Sequence, residues 1–303
     1  MQQRPPFMPR QAPRGCGQAG PSGGAARPNP GRLAAAALLL LALSACWSSR
    51  ENAAPAAPAS EAGHTAFNDK PAPIRLWADR ALRAAVQALA DRHEARTGQR
   101  VTLVWGDTAD LRQRISQGQP ADIFVAAGLS QPQQLACCGQ WQPPARIAQD
   151  RLCLLTVPRL HVAPATALGA MLRADVRVGA YQPGQHPLGE AFWQLMDRAD
   201  QLQSGAHAAI TAKVILATDS QPLQQALLQG RIDAAVQGCL PAQADAAAGN
   251  LAVTPLPAAL DTGLPYTLTW RLDAPPAARD WAQTLLAAPQ ARAQWRALGL
   301  QTP

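Results

Sequence analysis

The side chains of this 303-residue chain best placed for chemistry stand where apolar runs give way to helical spacing. Asp79-Arg80 follows the run Ile74–Ala78, and Asp107-Thr108 follows Val101–Trp105. A loop between strand end and helix start presents unpaired N–H groups and a partial positive charge, which hold an anion. The Arg80 guanidinium would add a charge-assisted partner and the Thr108 hydroxyl a directed donor. That is binding chemistry, and no bond-making machinery accompanies it. Beyond Cys46 the chain has no G-x-S-x-G elbow, no H-E-x-x-H pair and no glycine-rich phosphate loop. Its five histidines are scattered. His186 and Glu190, one helical turn apart, form a two-ligand pair with no obvious third partner. No catalytic residue, metal or cofactor is expected, and the chain is not read as an enzyme. Cys137, Cys138, Cys153 and Cys239 could form one or two disulfides if the protein is exported, or remain buried thiols.

The elements that must position these residues alternate. Ile74–Ala78, Val101–Trp105 and Ile123–Ala126 read as strands. Between them lie a helix through Leu82, Val86, Leu89 and His93 ending at Gly98, and a second from Asp107 or Thr108 through Leu111 and Ile115. The order recurs: strands at Leu152–Val157, Val176–Ala180, Val214–Ala217 and Ala234–Gln237, with helices over Leu188–Leu202 and through Leu223 and Leu227. A strand at Tyr266–Leu272 and helices at Ala277–Leu286 and Gln290–Leu298 close the chain. Such alternation predicts an α/β protein. Two units joined near Thr156 and Pro255 would make two lobes and a cleft. Trp77, Trp105, Tyr181 and Trp193 fall near the expected cleft loops, where they pack in the core or face a flat ligand.

The charge sits at one end. The formal charge is +7, yet five arginines precede Cys46 and no acidic residue does. Setting those five aside leaves 22 basic against 20 acidic residues, so nothing points to nucleic acid. Basic residues, the short apolar run after Arg32 and the small residues Ser44 and Ala45 form an export signal over residues 1–45. The run is too short to span a bilayer. Leu43-Ser44-Ala45-Cys46 resembles a bacterial lipobox, with the Cys46 thiol as lipid attachment point. The Ala- and Pro-rich stretch that follows, 46–73, reads as a flexible tether.

Three segments resemble the molybdate-binding family of periplasmic solute-binding proteins. They are Ile74–Arg83 with Thr97–Val101; Gly106–Ala127, above all Gly118-Gln119-Pro120-Ala121-Asp122-Ile123-Phe124; and Leu286–Leu300. The resemblance implies a two-lobed periplasmic-binding-protein-like fold, each lobe a mostly parallel sheet flanked by helices. Lobe 1 is expected over 74–157 with 256–303, and lobe 2 over 158–255. It also implies a monomeric binding lipoprotein that holds a tetrahedral oxyanion, molybdate or tungstate, and passes it to the membrane permease of an ABC importer. Carried over position by position, a family serine becomes Ala81 and another becomes Thr108. The second-lobe contacts fall on Leu188 and Ser220, and a family tyrosine falls on Gly238. Arg80 would compensate for the missing hydroxyls, while Asp107 would repel the anion unless it pairs with Arg80. A lipoprotein for a small organic ligand or a protein partner is the alternative.

Overall fold

The computed structural model describes residues 72–217 and 222–303. The leader, Cys46 and Ser220 lie outside them. In chain order, β1 (Ile74–Asp79), α1 (Arg83–Thr97), β2 (Val101–Gly106), α2 (Thr108–Ser116), β3 (Ile123–Ala127), α3 (Ser130–Ala136) and β4 (Ala145–Asp150) come first. Next are β5 (Leu152–Thr156), α4 (Ala167–Leu172), β6 (Val178–Tyr181), α5 (Pro187–Leu202), α6 (Ala206–Thr211) and β7 (Ile215–Ala217). The remainder is α7 (Leu223–Leu228), β8 (Ala234–Gly238), α8 (Cys239–Gly249), β9 (Ala252–Pro255), β10 (Leu264–Trp270), α9 (Pro276–Ala287) and α10 (Pro289–Ala297).

The strands form two five-stranded sheets, ordered β2-β1-β3-β10-β4 and β7-β6-β8-β5-β9. Each is mixed: β1 runs parallel to β2 and β3, while β10 is antiparallel to β3 and β4. The second sheet repeats this, with β6 parallel to β7 and β8 and β5 antiparallel to β8 and β9. Antiparallel pairings thus share each sheet equally with the parallel ones that were expected to predominate. The lobe boundary also moves. Leu152–Thr156, expected within the first lobe, pairs in the second sheet, so the chain crosses at Arg151 rather than after Val157.

Burial on both faces explains the unbroken apolar runs. Along β1, Leu76 and Ala78 face one core and Trp77 the other; along β3, Ile123 and Val125 oppose Phe124 and Ala126. Along β5, Leu152 and Leu154 oppose Cys153 and Leu155. Trp281 of α9 and Trp295 of α10 fill the larger core, where the His93 ring lies 5.1 Å from Trp281. Gly98 ends α1 in the left-handed conformation, φ 70°, where a side chain would be strained.

One carboxylate staple recurs in each lobe. Asp122, just ahead of β3, accepts the Arg75 backbone N–H at 2.8 Å and its guanidinium at 3.0 and 2.5 Å. Asp233, just ahead of β8, accepts the Arg177 N–H at 2.9 Å and its guanidinium at 2.9 and 3.0 Å. Asp122 is 1 % exposed and Asp233 also 1 %. The aspartate of the Gly118–Phe124 motif therefore ties neighbouring strand starts together, at the end of the sheet away from Asp79. Cys153 and Cys239 form a disulfide joining β5 to the start of α8. Cys137 and Cys138 lie exposed after α3.

Candidate functional site

The carboxyl ends of β1 and β2 in one lobe and of β6 and β8 in the other open onto a shared cleft of about 490 Å³. Strand ends are where helix starts and loops converge in α/β sheets, so this is the expected location for a ligand. Arg80, Ala81, Thr108 and Leu188 all line it.

Asp79 organises the first-lobe wall. It is the last residue of β1, and its carboxylate turns back over the loop that follows. Oδ1 accepts the Ala81 N–H at 3.0 Å, and Oδ2 accepts the Thr108 hydroxyl at 2.7 Å. Thr108 Oγ1 accepts in turn from the Ala127 N–H at 2.9 Å, so this hydroxyl is held at both ends. Burial raises the Asp79 pKa, against the pull of Thr108 and the Ala81 N–H. No Arg or Lys side chain among the described residues bridges it. Arg80 instead donates to Asp107 at 2.7 Å, with 63 % and 50 % of the two side chains exposed. Asp107 stands at the start of α2 yet makes no capping bond to the helix.

The second-lobe wall follows the same plan. His186 precedes α5, and its Nδ1 accepts the Leu188 N–H at 3.1 Å. Its ring stacks on Tyr181 with centroids 3.9 Å apart. Burial lowers its pKa to about 4, so the ring is neutral and free to accept. It is a helix cap and a wall of the cleft. The Tyr181 hydroxyl accepts the Leu223 N–H at 3.2 Å. Of the four aromatics considered, Tyr181 alone lines the cleft. Trp77 is core, Trp105 lies under Arg83 at 5.6 Å and Trp193 packs edge-on to Phe192.

Gly238 lacks the phenol for a steric reason. A Cβ there would meet Asp150 Oδ2 at 2.6 Å, so the Asp150 carboxylate occupies the space. Tyr266 from β10 brings a phenol to the cleft instead. Asp245 of α8 faces in from the second lobe; burial raises its pKa, while the Gln237 side chain and Arg80 pull it down.

Two sheets with a ligand cleft at their strand ends define the type II periplasmic binding fold, and solved structures bear this out. PEB3 from Campylobacter jejuni is 14 % identical with a TM-score of 0.61, covering 76 % of this chain and 100 % of its own. The Azotobacter vinelandii periplasmic molybdate-binding protein is 18 % identical with a TM-score of 0.56, covering 76 % and 99 %. The sulfate-binding protein SubI from Mycobacterium tuberculosis H37Rv is 17 % identical with a TM-score of 0.61, covering 77 % and 87 %. No curated protein matches the sequence. The chain belongs to the bacterial extracellular solute-binding protein family, whose model matches residues 74–301. The family consists of binding proteins rather than enzymes.

Tyr266 and Asp245 were not expected at the cleft; Asp79 and Tyr181 were placed near it without an assigned contact, and His186 was considered only with Glu190. Local spacing carries a signal for two of them. Asp79 and His186 each stand two residues before the N–H they accept, the spacing of a side-chain-closed turn.

Proposed function

We propose that the protein is the lipid-anchored binding component of an ABC importer and that its cleft takes a small organic solute. One observation carries the choice of solute. Three donors at the expected contact positions, the Ala81 N–H, the Thr108 hydroxyl and the Leu188 N–H, are all answered from within the chain by Asp79 and His186. An anion would have to displace a buried carboxylate from two of them and meet its charge. The cleft volume of about 490 Å³ also suits an organic molecule better than a single XO4 unit. The fold accommodates such ligands, since PEB3 has been solved bound to L-phospholactate at 13 % identity to this chain.

The oxyanion reading, molybdate or tungstate, keeps one observation of its own. The first N–H groups of α2 receive no side-chain cap from Asp107, and the half-exposed Arg80–Asp107 pair is weak enough to open for an incoming anion. Calorimetric titration separates the two. Molybdate, tungstate, sulfate and phosphate should give no heat at about micromolar affinity, whereas an organic panel of amines, amino acids and carboxylates should contain a binder. Micromolar binding of any of the four oxyanions overturns the organic reading. The anchor is tested apart: Cys46→Ser should release the protein from membranes, and unchanged retention rejects lipidation.

A further inference from the structure

We propose that the solute carries a positively charged nitrogen, an ammonium or guanidinium, which Asp79 receives, so that Asp79 sets the charge specificity of the cleft. The inference rests on the organic-solute reading above and names its class. Four carboxylates line the cleft, Asp79, Asp107, Asp110 and Asp245, against two guanidiniums, Arg80 and Arg83. The two cations already have partners: Arg80 donates to Asp107, and Arg83 lies over the Trp105 ring. Asp79 is different in kind from the exposed acids. It is 9 % exposed, its two oxygens are held by neutral donors, and no cationic side chain among the described residues bonds to it directly, the neighbouring Arg80 acting only through its charge.

A buried carboxylate held this way is costly on its own and gains most from a cation brought beside it. Each Asp79 oxygen keeps a lone pair after accepting one bond. Fixing the carboxylate through the Ala81 N–H and Thr108 means that little rearrangement is needed when the ligand arrives. Asp245 faces the same volume from the other lobe, so a ligand with one charged nitrogen can be approached by carboxylates from both sides. The neutral Tyr181–His186 stack adds an aromatic wall, a surface that receives cations favourably and anions poorly. The Asp79 carboxylate is thus an internal anion seated on the donors an external anion would use.

Removing it should reverse the preference. The purified protein is titrated, by thermal shift and calorimetry, with putrescine, agmatine, choline, lysine and arginine. A parallel series uses citrate, lactate, sulfate and molybdate. At least one cationic probe should bind, and Asp79→Asn should weaken it about 10- to 100-fold, the loss of one charge-assisted contact. Asp79→Ala vacates the Ala81 N–H and the Thr108 hydroxyl and should gain binding of sulfate or molybdate. Should either Asp79 variant fail to fold, Asp245→Asn, at a half-exposed position, should still weaken the cationic probe by several-fold. If no cation binds at about 10 mM, or if citrate or lactate binds more tightly than every cation, the inference is overturned while the organic-solute reading stands for organic acids. Parent-protein binding of sulfate or molybdate would instead overturn that reading.

Discussion

Replacing Asp150 with asparagine should stabilise the protein at neutral pH, an unusual outcome for a buried polar site. Asp150 ends β4 opposite Leu264 and is 4 % exposed. Its Oδ2 accepts the Leu240 N–H at 2.9 Å, so a strand of the first sheet is joined to the start of a second-lobe helix. Burial raises its pKa to about 6, opposed by the Leu240 and Arg151 N–H groups; Asp261 raises it further and the Arg151 charge lowers it. The unfolded reference value is 3.8. The folded state therefore binds this proton more tightly, and between these two pH values stability falls as pH rises, by about 1.4 kcal/mol per unit. Across the window that is roughly 3 kcal/mol of destabilisation, complete above pH 6. Asparagine cannot ionise but keeps only one acceptor oxygen, and the bond lost costs about 1 kcal/mol. Asp150→Asn should then be about 2 kcal/mol more stable than the parent at pH 7 and slightly less stable near pH 4. Urea unfolding followed by tryptophan fluorescence at several pH values reads this directly. Parallel stability–pH curves for the two proteins, or a less stable variant at pH 7, would refute the reasoning.

The other predictions concern the fold that holds the cleft. Arg177 holds the Asp233 pKa down to about 2 against burial, with help from Arg177 N–H and Arg159. Its contribution is full above the unfolded value of 3.8 and is lost as pH falls towards 2. Asp233→Asn should cost about 2–4 kcal/mol at neutral pH and flatten that acid limb, measured by the same unfolding series. The Cys153–Cys239 bridge closes a sequence separation of 86 residues, and Cys153→Ala with Cys239→Ala should lower stability by about 3–4 kcal/mol in denaturant titration. A thiol count of the unfolded, unreduced parent should find these two cysteines protected. Gly189 admits no side chain, because a Cβ would meet the Gln182 carbonyl carbon at 2.7 Å and Tyr181 O at 2.9 Å. Gly189→Ala must push α5 off β6 and with it Leu188 and His186; it should cost about 1–3 kcal/mol and weaken ligand binding.

Element type was legible wherever one residue pattern dominated. Ile123–Ala127 is apolar throughout because both its faces are covered, and the helix ending at Gly98 stops where only glycine sits easily. The elements that escaped lack such a pattern. β4, Ala145–Asp150, is an edge strand with Arg146 and Gln149 along it, and α8 is a run of small residues with little amphipathic contrast. The crossing at Arg151 was placed late because β5 continues the apolar run, and nothing local says which sheet a fully buried strand joins. Of the expected cleft contacts within the described residues, Arg80, Ala81, Thr108 and Leu188 do line one cavity. Position along the chain was enough for that, since each follows a strand end.

What position could not convey is who already holds each donor. Thr108 looked like a surviving anion contact because its hydroxyl is present, yet the hydroxyl points its proton at Asp79. Leu188 looked like a second-lobe contact because the family resemblance falls there, yet its N–H is taken by His186. Gly238 looked like a lost side chain, yet its space holds the Asp150 carboxylate. At Ala81 and Gly238 the small residue and the acid that fills the space beside it belong together. Ala81 in place of a serine is compatible with Asp79 two residues earlier, and glycine at 238 is required by an acid 88 positions away. A site that had merely drifted from oxyanion binding would leave these donors bare and expensive in a half-buried cleft. All three are satisfied, two of them by one buried carboxylate, and that is what supports the proposed organic solute over an oxyanion.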